Sequence, residues 1–140
     1  RSLLRVLVVE DDVLIADDCA GAMRAAGMQA DTALCGREAL QKLFAGHIDA
    51  VVLDLLLPDM NGLSVLRTLR YANKNIPVIV LTAHSDISTR AMARELGVSA
   101  FFPKPFNAVL IAERIEMLCD TGSKKSPPNP FIRSEICVTT

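Results

Sequence analysis

The sequence has no Trp, one Tyr and five Phe, so its core cannot be assembled from large rings. Apolar residues still make up 51% of the 140 positions, and Val, Leu, Ile and Ala must do the packing, a composition suited to a parallel sheet covered by helices. Cys19, Cys35, Cys119 and Cys137 are scattered, with no C-x-x-C pair and no His at ligand spacing. That argues against a metal–thiolate site and for small reduced thiols. No apolar run reaches the roughly 18 residues of a membrane span, and no signal-peptide pattern opens the chain. A cytoplasmic setting without a membrane partner is therefore expected. The first residue is Arg1 instead of Met, which fits processing or excision from a longer protein. A formal net charge of −1 gives no field to draw nucleic acid, so direct nucleic-acid binding is not expected. Neither G-x-G-x-x-G nor G-x-x-x-x-G-K-[ST] occurs, which disfavours a nucleotide or flavin site.

What is present is a repeating plan. Leu3 to Val9 is a short β-branched run ending in Glu10-Asp11-Asp12, the pattern of a buried strand that delivers acids at its carboxyl end. Val13 to Ala26 reads as a helix stopped by Gly27, with Leu14, Ile15, Cys19, Ala22, Met23 and Ala26 as its inner stripe. Met28 to Ala33 is a second strand, and Arg37 to Ala45 a helix that turns Ala39, Leu40, Leu43 and Phe44 inward before Gly46. Ala50 to Leu53 is a third strand, again ending in an acid, Asp54; a loop at Pro58 to Gly62 precedes a helix from Leu63 to about Ala72. Pro77 to Leu81 is a fourth strand, and Ser85 or Asp86 caps a helix running to Leu96, with Gly97 as its stop. Ser99 to Phe102 is the fifth strand, followed by Pro103-Lys104-Pro105 and a helix from about Asn107 to Cys119.

Five strands alternating with five helices through short loops demand right-handed crossovers, hence an α/β fold with a parallel sheet covered on both faces. Ligands of such sheets sit beyond the carboxyl ends of the strands. Glu10, Asp11, Asp54, Thr82 and Lys104 all fall there. Past Cys119 the composition shifts to T-G-S-K-K-S-P-P-N-P, so residues 1–120 read as one domain and 121–140 as a linker or mobile tail.

Three carboxylates at one sheet edge repel one another unless a cation neutralises them. Oxygen donors without a His or Cys cluster point to Mg2+ or Mn2+. The same acids would also serve as an N-cap cluster for the first helix, where negative charge suits the dipole. Lys104 favours the first reading, because an ammonium at that edge calls for an anion. With the Thr82 hydroxyl it completes a cradle for phosphoryl oxygens, and Asp54 is then the nucleophile of a phosphoryl transfer.

The segments V-V-E-D-D, V-V-L-D-L-L-L-P-D-M-N-G, V-L-T-A-H and F-F-P-K-P-F resemble, in order and spacing, the signatures of bacterial response-regulator receiver domains of the CheY-like superfamily. The resemblance spans roughly Leu3 to Cys119. It implies a flavodoxin-like (βα)5 doubly wound sheet of order 2-1-3-4-5, with Asp54 as phosphoacceptor. It further implies Asp11 as a direct Mg2+ ligand, Glu10 acting directly or through water, and Leu56 contributing its backbone carbonyl. Thr82 and Lys104 would each bind a phosphoryl oxygen, Phe101 would be the switch aromatic, and the Lys104-Pro105 bond would be cis. The phosphoryl donor would be a histidine kinase or histidine phosphotransfer protein. The fourth helix, fifth strand and fifth helix would carry the signal to an effector, and their mixed charges permit a homodimer without requiring one.

Several positions depart from the family pattern or have plainer readings. Glu10 stands where Asp is also common, and Phe101 lacks a Tyr hydroxyl. Leu56 and His84, two residues after Asp54 and Thr82, flank the site; apolar Leu56 leads to an expectation of slow dephosphorylation. His84 reads as an exposed loop residue in preference to a phosphate-site neighbour, His47 as a surface residue, and Asp59 and Asn61 as turn formers before Gly62 in preference to contacts of the metal site. A magnesium-dependent phosphatase with an Asp nucleophile needs a second acid two residues on, where this chain has Leu56. The chain fits a free-standing single-domain regulator, the receiver of a regulator with its own output domain, or the receiver of a hybrid histidine kinase.

Overall fold

The fold was analysed in a computed structural model that describes residues 3–72, 74–83 and 87–123, the last four by backbone alone. Five strands, β1 (Arg5–Val9), β2 (Gln29–Ala33), β3 (Ala50–Asp54), β4 (Val78–Thr82) and β5 (Ala100–Pro103), form one parallel sheet in the order β2-β1-β3-β4-β5. Helices α1 (Val13–Ala25), α2 (Gly36–Ala45), α3 (Gly62–Tyr71), α4 (Ile87–Glu95) and α5 (Ala108–Ser123) connect and follow them. This is the doubly wound architecture that the alternation implies. Gly27 and Gly97, read as helix stops, adopt φ of 93° and 82°, where a side chain would be strained.

Strand alternation divides the core in two. Leu7, Val9, Val51, Leu53, Val78 and Val80 face α2, α3 and α4, packing with Leu43, Leu66, Leu69 and Ala93. Val6, Val8, Val52, Ile79 and Leu81 face α1 and α5, packing with Cys19, Met23, Ile111 and Ile115. Every residue of β3 is buried, as befits the central strand, whereas the edge strand β2 buries Ala33 alone.

Several expected boundaries and faces differ. The helix α5 runs to Ser123, four residues past Cys119. On α1 the buried residues are Ala16, Cys19, Ala20 and Met23, while Leu14 is 80% exposed. Phe44, expected to face inward from α2, is 48% exposed and lies under the Lys74 ammonium, 5.5 Å from its ring centre. The expected cap of α4 at Ser85 or Asp86 lies outside the described residues, as do His84 and Cys137. Among the described residues Cys19, Cys35 and Cys119 form no disulfide, and burial pushes the Cys19 thiol up to about 12, which makes it inert. Among the described residues, no helix is long and apolar enough to cross a membrane.

Candidate functional site

The chain reverses its direction of winding between β1 and β3, and that is where a doubly wound sheet opens a crevice. Val9 and Leu53 are partners in the ladder, so the next residues, Glu10 and Asp54, lie side by side at the carboxyl edge of the sheet. Both are buried, at 1% and 4% exposure, and they are the buried charged residues of the described core. Asp11 follows on the exposed rim, and the three carboxylates each bring an oxygen within 4.8 Å of the others.

The fourth corner comes from β5. Thr82 pairs with Pro103 at the end of the β4–β5 ladder, and the Lys104 amide donates to the Thr82 carbonyl at 3.0 Å, extending the pairing by one residue. The Lys104 side chain then turns into the crevice, where its Nζ donates to Asp54 Oδ2 at 2.8 Å and lies 2.7 Å from Glu10 Oε1. The Lys104-Pro105 bond is cis, as the resemblance implies. Beside it, Leu14, Ile15, Asp17, Lys104 and Phe106 line an open groove between α1 and the β5–α5 loop, which accounts for the exposure of Leu14.

One ammonium thus serves two buried carboxylates. Asp54 is well held: its Oδ1 accepts from the Leu56 amide at 3.0 Å and its Oδ2 from Lys104. Glu10 is less so. Its Oε2 accepts from the Asp12 amide at 3.1 Å, but its buried Oε1, although 2.7 Å from the Lys104 ammonium, has no directed hydrogen-bond donor. Burial, reinforced by the Asp54 charge, accordingly raises the Glu10 carboxyl above its ordinary range against the pull of Lys104 and the Asp12 amide. For Lys104, burial works against the charge, but the two carboxylates outweigh it and hold the ammonium above its usual range.

The remaining expected site residues sit around this core. Leu56 is 63% exposed and is paired with Asn61 in an isolated antiparallel bridge, so its backbone lies at the mouth of the crevice. Phe101 is half-buried on the α3–α4 side of the sheet, with the Arg90 and Arg94 guanidinium groups 4.7 and 5.6 Å from its ring centre. Pro105 is exposed at the groove. His47 is a surface residue paired with Asp49. Asn61 caps α3 by accepting from the Leu63 amide at 2.8 Å. Sequence reasoning missed the partner of Asp59: its carboxylate accepts from the Gly36 and Arg37 amides at 2.7 and 2.9 Å, at the start of α2.

An all-oxygen set of Glu10, Asp11 and Asp54, one of its oxygens buried without a directed donor, fits a hard divalent cation. Comparison with known proteins identifies the family. The family model for the response regulator receiver domain matches residues 6–116. The transcriptional regulatory protein QseB of Escherichia coli O157:H7 is 36% identical over 115 residues, 82% of this chain and 52% of that protein. The response regulator MprA of Mycolicibacterium vanbaalenii is 35% identical over 91% of this chain and 58% of its own length. The chain therefore spans about half the length of the curated relatives it matches. Among solved structures, the CheY-like receiver domain protein of Methanospirillum hungatei superposes with a TM-score of 0.83 at 26% identity, over 89% of this chain and 100% of that one. With the family match spanning all five strands and the crevice they build, this chain belongs to the response regulator receiver domain family.

Proposed function

We propose that this receiver stores a phosphoryl group on Asp54 with the help of Mg2+, and that the stored charge switches the α4–β5–α5 surface. The observation that carries the reading is the bridge from Lys104 to Asp54 and Glu10 inside a three-carboxylate crevice. Glu10, Asp11, Asp54 and the Leu56 carbonyl would hold the metal. When bound, the metal supplies countercharge to the transferring phosphoryl oxygens.

Asp54 would act as the nucleophile; its carboxylate is buried and oriented by the Leu56 amide and Lys104. A carboxylate oxygen forms the new bond to phosphorus as the donor's bond breaks, and the donor nitrogen of a phosphohistidine leaves with that electron pair. Lys104 then exchanges a carboxylate partner for a phosphoryl oxygen, and Thr82, one ladder position away, binds another. Phe101 lies across the ladder from Val80, two residues before Thr82, so a shift of Thr82 would reach the ring through β4. The donor is a histidine kinase or histidine phosphotransfer protein. An effector contacted through the switched surface, in the rest of a longer chain or on a separate protein, reads the result. The family is a signalling switch; turnover is confined to the chain's own phosphorylation and dephosphorylation.

The test is incubation with Mg2+ and a small acyl phosphate, followed by mass spectrometry of borohydride-trapped peptides. Label should appear at Asp54, vanish in Asp54→Asn and persist in Asp49→Asn. Equal labelling after chelation of divalent metal would sink the role given to Glu10 and Asp11.

A further inference from the structure

We infer that Asp59 is a positioning residue for the phosphoryl site: by capping α2 it anchors the loop that presents the Leu56 carbonyl, and so sets metal affinity without touching the metal. The inference rests on the metal-binding role proposed for that carbonyl.

Between Asp54 and Gly62 the chain leaves β3 and returns into α3. The base of this loop is closed on itself. The Gly62 amide donates to the Leu55 carbonyl at 2.8 Å, and Leu56 pairs with Asn61. Gly62 has no room for a side chain, since a Cβ there would stand 2.6 Å from the Asp54 carbonyl oxygen. The tip, residues 57–60, has no such internal rung and is secured from outside. Asp59 reaches 22 and 23 residues back along the chain to two amides of α2, where a carboxylate satisfies donors that the helix itself leaves unpaired and also meets the positive end of its dipole. The next residue docks independently: the Met60 side chain fills the space over Gly36, where a Cβ would fall 2.4 Å from its Cγ. Two consecutive loop residues therefore grip the first turn of α2, and Leu56 lies three residues before the first of them.

The native cap of α2 explains why the grip matters. Its N-cap is Cys35, whose Sγ accepts from the Glu38 amide at a long 3.5 Å. Asp59 satisfies the Gly36 and Arg37 amides that the Cys35 thiol leaves unpaired, and this ties helix and loop into one unit. Those two amides hold its carboxyl below the ordinary range, Arg37 foremost, so the grip persists at neutral pH. Freed of Asp59, the tip would sample several positions, and binding a cation through the Leu56 carbonyl would have to order it.

The experiment is Mg2+ titration of the full chain by calorimetry and by the shift of the Leu56 amide resonance, with thermal unfolding in chelator recorded alongside. Asp59→Ala should weaken Mg2+ binding about ten-fold, the lower end of what loss of a supporting residue around a metal ligand usually brings. Glu38→Ala is the control. It loosens the same end of α2 by removing the acceptor of the Leu34 amide, 2.9 Å away, and leaves the loop alone. It should lower the melting temperature yet keep the Mg2+ dissociation constant within about two-fold. Wild-type affinity in Asp59→Ala, or an equal loss in Glu38→Ala, would overturn the inference. Asp59→Asn keeps one acceptor and should fall between wild type and Asp59→Ala; it decides the matter if Asp59→Ala does not fold, because wild-type affinity there overturns the inference too. A wild-type chain that takes up no Mg2+ would bring down the proposed function and this inference together.

Discussion

Replacing Lys104 by Met removes the one cation shared by two buried carboxylates while keeping most of the side-chain volume. The contacts at 2.7 and 2.8 Å are each worth about 6 kcal/mol at an effective dielectric constant of about 20. Drying three charged groups, each at a cost of several kcal/mol, cancels most of that sum. What the variant loses is the smaller amount associated with leaving buried charges uncompensated, about 3–5 kcal/mol, or roughly 10 °C in melting temperature for a chain of this size. The loss belongs to metal-free protein. A divalent cation supplies the missing countercharge, and without the competing ammonium it binds the carboxylates more tightly. Urea unfolding in chelator and in excess Mg2+ separates these effects: Lys104→Met should be much weaker than wild type in chelator and recover a large part of the gap in Mg2+. If the variant matches wild type in chelator, or if Mg2+ stabilises both chains equally, the picture of a lysine standing in for a metal is wrong.

Three further outcomes follow from other parts of the fold. Gly62→Ala places a Cβ 2.6 Å from the Asp54 carbonyl oxygen and 2.7 Å from Leu55 Cα. Both are backbone atoms that cannot step aside, so the variant should lose about 3 kcal/mol in urea unfolding along with labelling at Asp54; an unchanged midpoint would contradict the close approach. Arg70 donates to the carbonyls of Lys74, Ile76, Leu96 and Gly97, tying the ends of α3 and α4 together. Arg70→Met should therefore cost about 2–4 kcal/mol and speed amide exchange at Gly97, and Arg70→Lys should not restore it, since one ammonium cannot span those carbonyls. Finally, the Leu34 amide, with help from Lys42, holds the Glu38 carboxyl below its ordinary range. A depressed folded value means stability that is present above pH 4.5, the unperturbed value, and lost as pH falls through the lower folded one. The stability difference between wild type and Glu38→Gln should follow that course, and a difference that grows on acidification would refute it.

How much of this was legible in the sequence depended on whether the deciding interaction was local. Buried parallel strands are apolar throughout, so β1, β3 and β4 announce themselves, and their carboxyl ends then locate Glu10, Asp54 and Thr82 by topology alone. The helical faces were harder. α1 meets the sheet through Ala16, Cys19, Ala20 and Met23, and small residues that permit close packing carry little weight in a hydrophobic pattern. Leu14 carries a great deal, and so the pattern finds Cys19 and Met23 but rotates the inner stripe toward Leu14 and away from Ala16 and Ala20. Its exposure is decided by the groove beside Lys104, which is a tertiary fact.

Asp59 is the clearest case of a role hidden by an adequate local explanation. Within P-D-M-N-G a turn accounts for every residue, and nothing nearby asks for another partner. The missing information was at the other end of the contact. The run L-C-G-R-E-A-L begins a helix with none of the usual capping side chains, because Cys35 is a weak acceptor. A helix start with only a weak cap of its own must find acceptors elsewhere or leave amides unpaired. In a doubly wound sheet the β3–α3 loop lies at the same edge, and its one free acid is Asp59. The deficiency in α2 is thus the sequence signal for the anchor on the phosphoryl-site loop, and it becomes readable once the strand order has placed the two segments together.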